Sequence, residues 1–147
     1  MRLIGLLAAL VIVGFGVKLA VDAGGGASSG GSPLEPEVAT QAQAICSRAF
    51  TPPLISFPQG VTGPEAAAYA AGAKAKADPM LTQLEPAITS APQTAAFTLI
   101  TSYRNLVTAL AGFPPTGGQT AEENILQLAE GVSQQARALG IPACAPG

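Results

Sequence analysis

Cys46 and Cys144 are the only cysteines in this chain. Oxidation therefore has one intramolecular outcome, a bond that ties the neighbourhood of residue 46 to the residues around 144. On a chain-entropy argument a closed loop of roughly 100 residues is worth about 4.7 kcal/mol. That is a large part of the ~5–15 kcal/mol that separates a folded domain from its unfolded chain. Whether the bond is expected depends on the compartment, and the compartment is read from the amino end.

Arg2 is followed by an uncharged apolar run from Leu3 to Val17, which continues across Lys18 to Val21. Two readings fit residues 1–23. As a signal anchor, Leu3 to Ala23 spans roughly 32 Å of helix, enough for a hydrocarbon core of about 30 Å, with Lys18 reaching the interface. As a signal peptide the same residues supply a basic start, an apolar stretch and a small-residue cleavage site at Val21-Asp22-Ala23. A buried core helix is disfavoured by the position of the run and by the glycine-rich linker on its carboxyl side. Arg2 favours a cytoplasmic amino end. The anchor predicts a single-pass cell-membrane protein with an extracytoplasmic domain; cleavage predicts a secreted one. Part of the 48% hydrophobic content and the mean hydropathy of +0.39 belongs to this segment.

Residues 24–34 contain GGGASSGGS, a composition that cannot bury enough surface to fold. It reads as a flexible tether reaching about 15–18 Å. No cysteine lies near the end of the apolar run, so the expected attachment to the membrane is protein alone. Residues 35–147 are then one extracytoplasmic domain, too short for two independent cores. In an exported chain, two cysteines with one possible pairing predict a structural Cys46–Cys144 disulfide. A redox pair usually brings a C-x-x-C spacing, and a metal site needs more ligands than two thiolates in a chain without histidine.

Alanine-rich segments separated by proline-rich breaks predict an all-α, four-helix-bundle-like domain. The first helix is expected from about Glu35 to Phe50, with Pro36 and Glu37 in its first turn, and an apolar face of Val38, Ala42, Ile45 and Ala49 with Cys46 at its edge. A second segment opens at Pro64 and Glu65 and carries Ala66, Tyr69, Ala73, Ala77, Met80, Leu81 and Leu84 near a 3.6-residue period. The Asp78-Pro79 step either kinks this helix or begins another. In the third, Phe97, Ile100, Tyr103, Leu106 or Val107, and Leu110 share a stripe. Thr120 and Glu123 have the spacing of a capping box for the last helix. Its buried face is expected to be Ile125, Leu128, Ala129, Val132, Ala136 and Leu139, with Gly140 ending it before Pro142.

Segment 51–63 breaks helix with Pro52, Pro53 and Pro58, yet carries Leu54, Ile55, Phe57 and Val61. These four residues either plug one end of the bundle or form an exposed interaction loop.

The residues Ile45, Cys46, Arg48 and Ala49, followed far along the chain by Ala136, Leu139, Gly140, Ile141, Pro142, Ala143 and Cys144, resemble a group of small exported helical proteins of high-GC actinobacteria with paired cysteines. The resemblance implies location and fold. It carries no assigned activity and no catalytic residue.

The chemistry available is sparse. The chain has no histidine and no tryptophan, so the commonest general base, metal ligand and stacking anchor are missing from its composition. No G-x-S-x-G elbow occurs, and the glycine-rich stretches lack the lysine of a phosphate-binding loop. Seven basic against nine acidic residues, a net charge of -2, are a poor match for nucleic acid. No cofactor, metal site or catalytic residue is expected. The reading is a non-enzymatic module, structural or protein-interacting, in the cell envelope, with an envelope protein or cell-wall component as partner. The competing reading is a carrier or sensor of a small apolar ligand, with a pocket in the bundle and Tyr69 or Tyr103 as polar handle.

Overall fold

A computed structural model describes residues 32–90 and 93–147. The anchor or signal expected at 1–23, and most of the tether, lie outside the described residues. Among these the chain forms four α-helices, α1 (Pro36–Ala49), α2 (Gly63–Thr89), α3 (Thr94–Ala111) and α4 (Gln119–Ala138), followed by one 3-10 turn at Pro142–Cys144. No described helix is long and apolar enough to cross a membrane.

Successive helices pack on one another, α1 on α2, α2 on α3 and α3 on α4. The backbones of α1 and α4 do not come together directly. The turn at Pro142–Cys144 packs on both and fills the seam between them. The core runs through Ile45, Met80, Leu84, Leu99, Tyr103, Leu106, Ile125 and Val132, each at least nine-tenths buried.

Pro79 and Pro86 both lie inside α2, which continues through them as one helix. Each proline leaves the carbonyl four residues earlier without an amide partner. Those carbonyls belong to Ala75 and Thr82, which are exposed like the prolines themselves, so water can satisfy them.

Two aromatic residues take the opposite side of their helices from the one expected. In α2 the buried stripe is Ala66, Ala70, Ala73, Ala77, Met80, Leu81, Leu84 and Ile88, and Tyr69 is 49% exposed. In α3 Ala96 takes the buried place and Phe97 is 52% exposed. In both helices a small alanine beside the aromatic allows the close helix approach, which turns the larger ring outward. Leu106 is buried and Val107 half-buried, which decides between those two positions.

The capping box expected at Thr120 and Glu123 does not form. α4 starts at Gln119 with Gly118 as its N-cap and no side-chain cap bond, and Glu123 Oε1 accepts from Gln119 Nε2 at 2.8 Å. The preceding turn sets this start. Gly117, at φ +71°, sits so close to Gly63 that a Cβ on Gly63 would lie 1.8 Å from the Thr116 carbonyl oxygen. The first turn of α2 and the turn before α4 therefore meet backbone to backbone.

At its other end α4 stops as the sequence predicts. Gly140 adopts φ +79°. Its N–H donates to the Arg137 carbonyl at 3.0 Å, and the Ile141 N–H to the Ala136 carbonyl at 2.9 Å. This pair of bonds is the Schellman arrangement that a left-handed glycine permits.

Candidate functional site

The Cys46–Cys144 disulfide is present, with Cα atoms 5.1 Å apart and a sequence separation of 98. Both cysteines are fully buried. Cys46 occupies the inner face of α1 beside Ala42 and Ile45, where Val38 and Ala49 are only half-buried.

Segment 141–147 and the residues just before it are held by α1, α3, α4 and the segment 51–63. The Leu34 N–H donates to the Leu139 carbonyl at 3.0 Å, just before the segment begins, and the Ile55 N–H to the Pro146 carbonyl at 2.8 Å. Leu34, tether by composition, is thus packed into the domain at 5% exposure. Gln43 Nε2 reaches the Gly140 carbonyl at 3.3 Å. Ser133, buried in α4, accepts from the Gly147 N–H at 3.0 Å and donates to the Ala129 carbonyl at 2.8 Å. From α3 the Tyr103 hydroxyl donates to the Cys144 carbonyl. Burial pushes the Tyr103 phenol well above its ordinary 10.0, because a phenolate there would lose its hydration. With its proton committed to the Cys144 carbonyl, the buried Tyr103 hydroxyl is a tie within the fold.

The four residues of segment 51–63 divide between core and surface. Ile55 is buried. Phe57 is half-buried and stacks on Phe113, ring centroids 5.6 Å apart. Leu54 and Val61 are half-buried. Leu54 differs from the others in lining an open surface groove of about 510 Å³. Pro53, Leu54 and Ser56 form one wall. Glu65, Ala68, Tyr69, Gly72, Ala73 and Lys76, spaced along one side of α2, form the other.

Local chemistry sets both ends of that wall. The Glu65 carboxylate accepts from the Thr62 N–H at 2.8 Å and from the Thr62 hydroxyl at 2.9 Å. The backbone bond, then the hydroxyl, hold its pKa below the ordinary 4.5. This cap lies at the start of α2, where Pro64 and Glu65 signal a helix and Thr62 with Glu65 has the T-x-x-E spacing of a capping box, a local signal additional to those read from the sequence above. Further along, Lys74 pairs with Asp78, while no described carboxylate lies within ion-pair distance of Lys76. Arg104 on α3 grips both oxygens of Glu85 on α2, at 2.6 and 2.7 Å, an exposed link between the two helices. No group of three or more metal-ligating side chains gathers among the described residues.

The groove is not legible in the sequence as a site, although Gly72 within an alanine-rich helix marks it. A glycine costs about 1 kcal/mol there relative to alanine, and here it leaves the floor of the groove open. No family model, curated protein or solved structure matches the chain.

Proposed function

We propose that the chain is a membrane-tethered, extracytoplasmic helical module that works by binding in the cell envelope rather than by catalysis, of the kind suggested by its resemblance to small exported actinobacterial proteins. The carrying observation is the buried Cys46–Cys144 bond, since disulfides form and persist in oxidising compartments outside the cytoplasm. The apolar run at residues 3–23 supplies the address and, on the anchor reading, the membrane attachment. The partner is another envelope protein or a cell-wall component, and Leu54 with the exposed ring of Tyr69 is the surface offered to it.

Intact cells test the compartment. A maleimide added to the unreduced protein under denaturing conditions labels neither cysteine, and the chain sediments with the membrane fraction. Labelling of both thiols, or recovery in the cytoplasm, overturns the reading. A photo-crosslinker at position 54 then gives a discrete adduct that one at position 131 on α4 does not.

A second reading, a carrier or sensor of a small apolar ligand, is favoured by the groove. It differs from the sequence expectation in lying on the outer side of α2 and not within the bundle.

A further inference from the structure

The groove between segment 53–56 and α2 joins an apolar trough to a single uncommitted charge. Glu65 and Lys76 are eleven residues apart on α2, roughly 16 Å at the rise of an α-helix. Between them the floor is low at Gly72, where an added Cβ would meet nothing within 4 Å. Tyr69 from α2 and Pro53 and Leu54 from the facing segment supply apolar sides. A volume of about 510 Å³ lies within the ~300–1,000 Å³ of small-molecule sites.

The two ends are electrically unequal. Glu65 is already committed to Thr62, and its negative charge disfavours an anion there. Lys76 is exposed and has no carboxylate within ion-pair distance among the described residues. An anionic group is therefore drawn to the Lys76 end, with an apolar body laid toward Tyr69.

We propose that this groove binds a single-chain amphiphile with a carboxylate headgroup, its chain along Leu54, Gly72 and Tyr69 and its carboxylate at the Lys76 ammonium. The proposal rests on the small-ligand reading above and names the ligand class for it. An exposed ion pair contributes modestly, so Lys76 orients the ligand while burial of the chain supplies most of the affinity.

The test uses the full-length chain and sodium decanoate below its micellar concentration, read by the shifts of Tyr69 ring resonances and by calorimetry. Decanoate is expected to saturate one site. Decanol, or decanoate with Lys76→Gln, is expected to bind about 1.5- to fivefold more weakly, the range for an exposed ion pair. Gly72→Leu fills the floor without a clash at its Cβ and should weaken decanoate at least tenfold while leaving the melting temperature the same or higher. It retains residues 1–23, so binding to that apolar run would survive in the variant. No saturable decanoate binding, equal binding by Gly72→Leu, or a decyltrimethylammonium ion binding as tightly as decanoate overturns the proposal. If a neutral or cationic amphiphile saturates the groove and Gly72→Leu abolishes that binding, the small-ligand reading stands and only the carboxylate assignment falls.

Discussion

The Tyr103 hydroxyl, deep in the core on α3, donates to the carbonyl of Cys144, so the residue that carries the disulfide to α1 is also tied to a helix on the other side of the bundle. One residue joins α1 through its sulfur and α3 through its backbone oxygen.

Removing only the hydroxyl isolates that second tie. Tyr103→Phe keeps the ring and leaves a buried carbonyl without its donor, a loss of about 1–3 kcal/mol, to be measured by urea unfolding. The same variant should flatten the alkaline limb of stability. The folded-state pKa of Tyr103 lies above its unfolded value, so its contribution is complete below pH ~10 and declines as the pH rises above that, where the unfolded chain ionises first. Equal alkaline slopes for the two proteins would mean that Tyr103 is not the group responsible.

The backbone contact between Gly63 and Gly117 admits no side chain. Gly63→Ala should cost about 1–3 kcal/mol, as over-packing does, because the new methyl meets the Thr116 carbonyl. Gly131→Ala, at a helical position where a Cβ meets nothing within 4 Å, should instead gain up to about 1 kcal/mol. Thermal melts of the two variants moving in the same direction would contradict this packing.

Pro79 interrupts the hydrogen bonding of α2 without ending the helix. Pro79→Ala restores an amide donor to the Ala75 carbonyl and is expected to raise stability, by at most about 3 kcal/mol. A lower melting temperature would show that the proline shapes the helix in a way the domain requires.

Glu65 gives the acid limb a specific contributor. Its pKa lies below 4.5 in the folded chain, so its contribution is complete above that value and disappears as the pH falls through the lowered folded-state pKa. Glu65→Gln should therefore lose stability at pH 7 and show a shallower decline between pH 5 and 3 than the parent. Melting temperatures across that range decide it.

Replacing both cysteines with alanine should cost up to about 4.7 kcal/mol on the chain-entropy argument, measured against the oxidised parent. Because both sulfurs are buried, a thiol reductant should act on the parent at the rate of its unfolding. Fast reduction of the native protein would place the bond at the surface.

Much of this architecture is legible in the residues. Proline and glycine mark the helix ends, the 3.6-residue period finds the buried stripes, and Gly140 with Cys144 announces how α4 stops and what lies beyond it. The positions where structure and sequence differ share a cause. In an alanine-rich helix the period is weakly marked, so a single aromatic sets the apparent phase, and at Tyr69 and Phe97 the neighbouring alanine is the buried residue. Thr120 and Glu123 have the spacing of a cap, but the contact of Gly117 with Gly63, far away in sequence, chooses the start of α4. The same distance hides the bonds of Tyr103 to Cys144 and of Ile55 to Pro146, and the groove, whose two walls meet only once the chain has folded.

Segment 141–147 also imposes an order of events. A chain released amino end first, from a ribosome or through a pore, presents all four helices before the residues that fill the seam between α1 and α4. Until Cys144 arrives, α1 has no covalent partner and Tyr103 has no acceptor from that segment. The seam between α1 and α4 is therefore closed by residues that follow both helices in the chain, and the two helices are joined through that segment rather than by direct backbone contact.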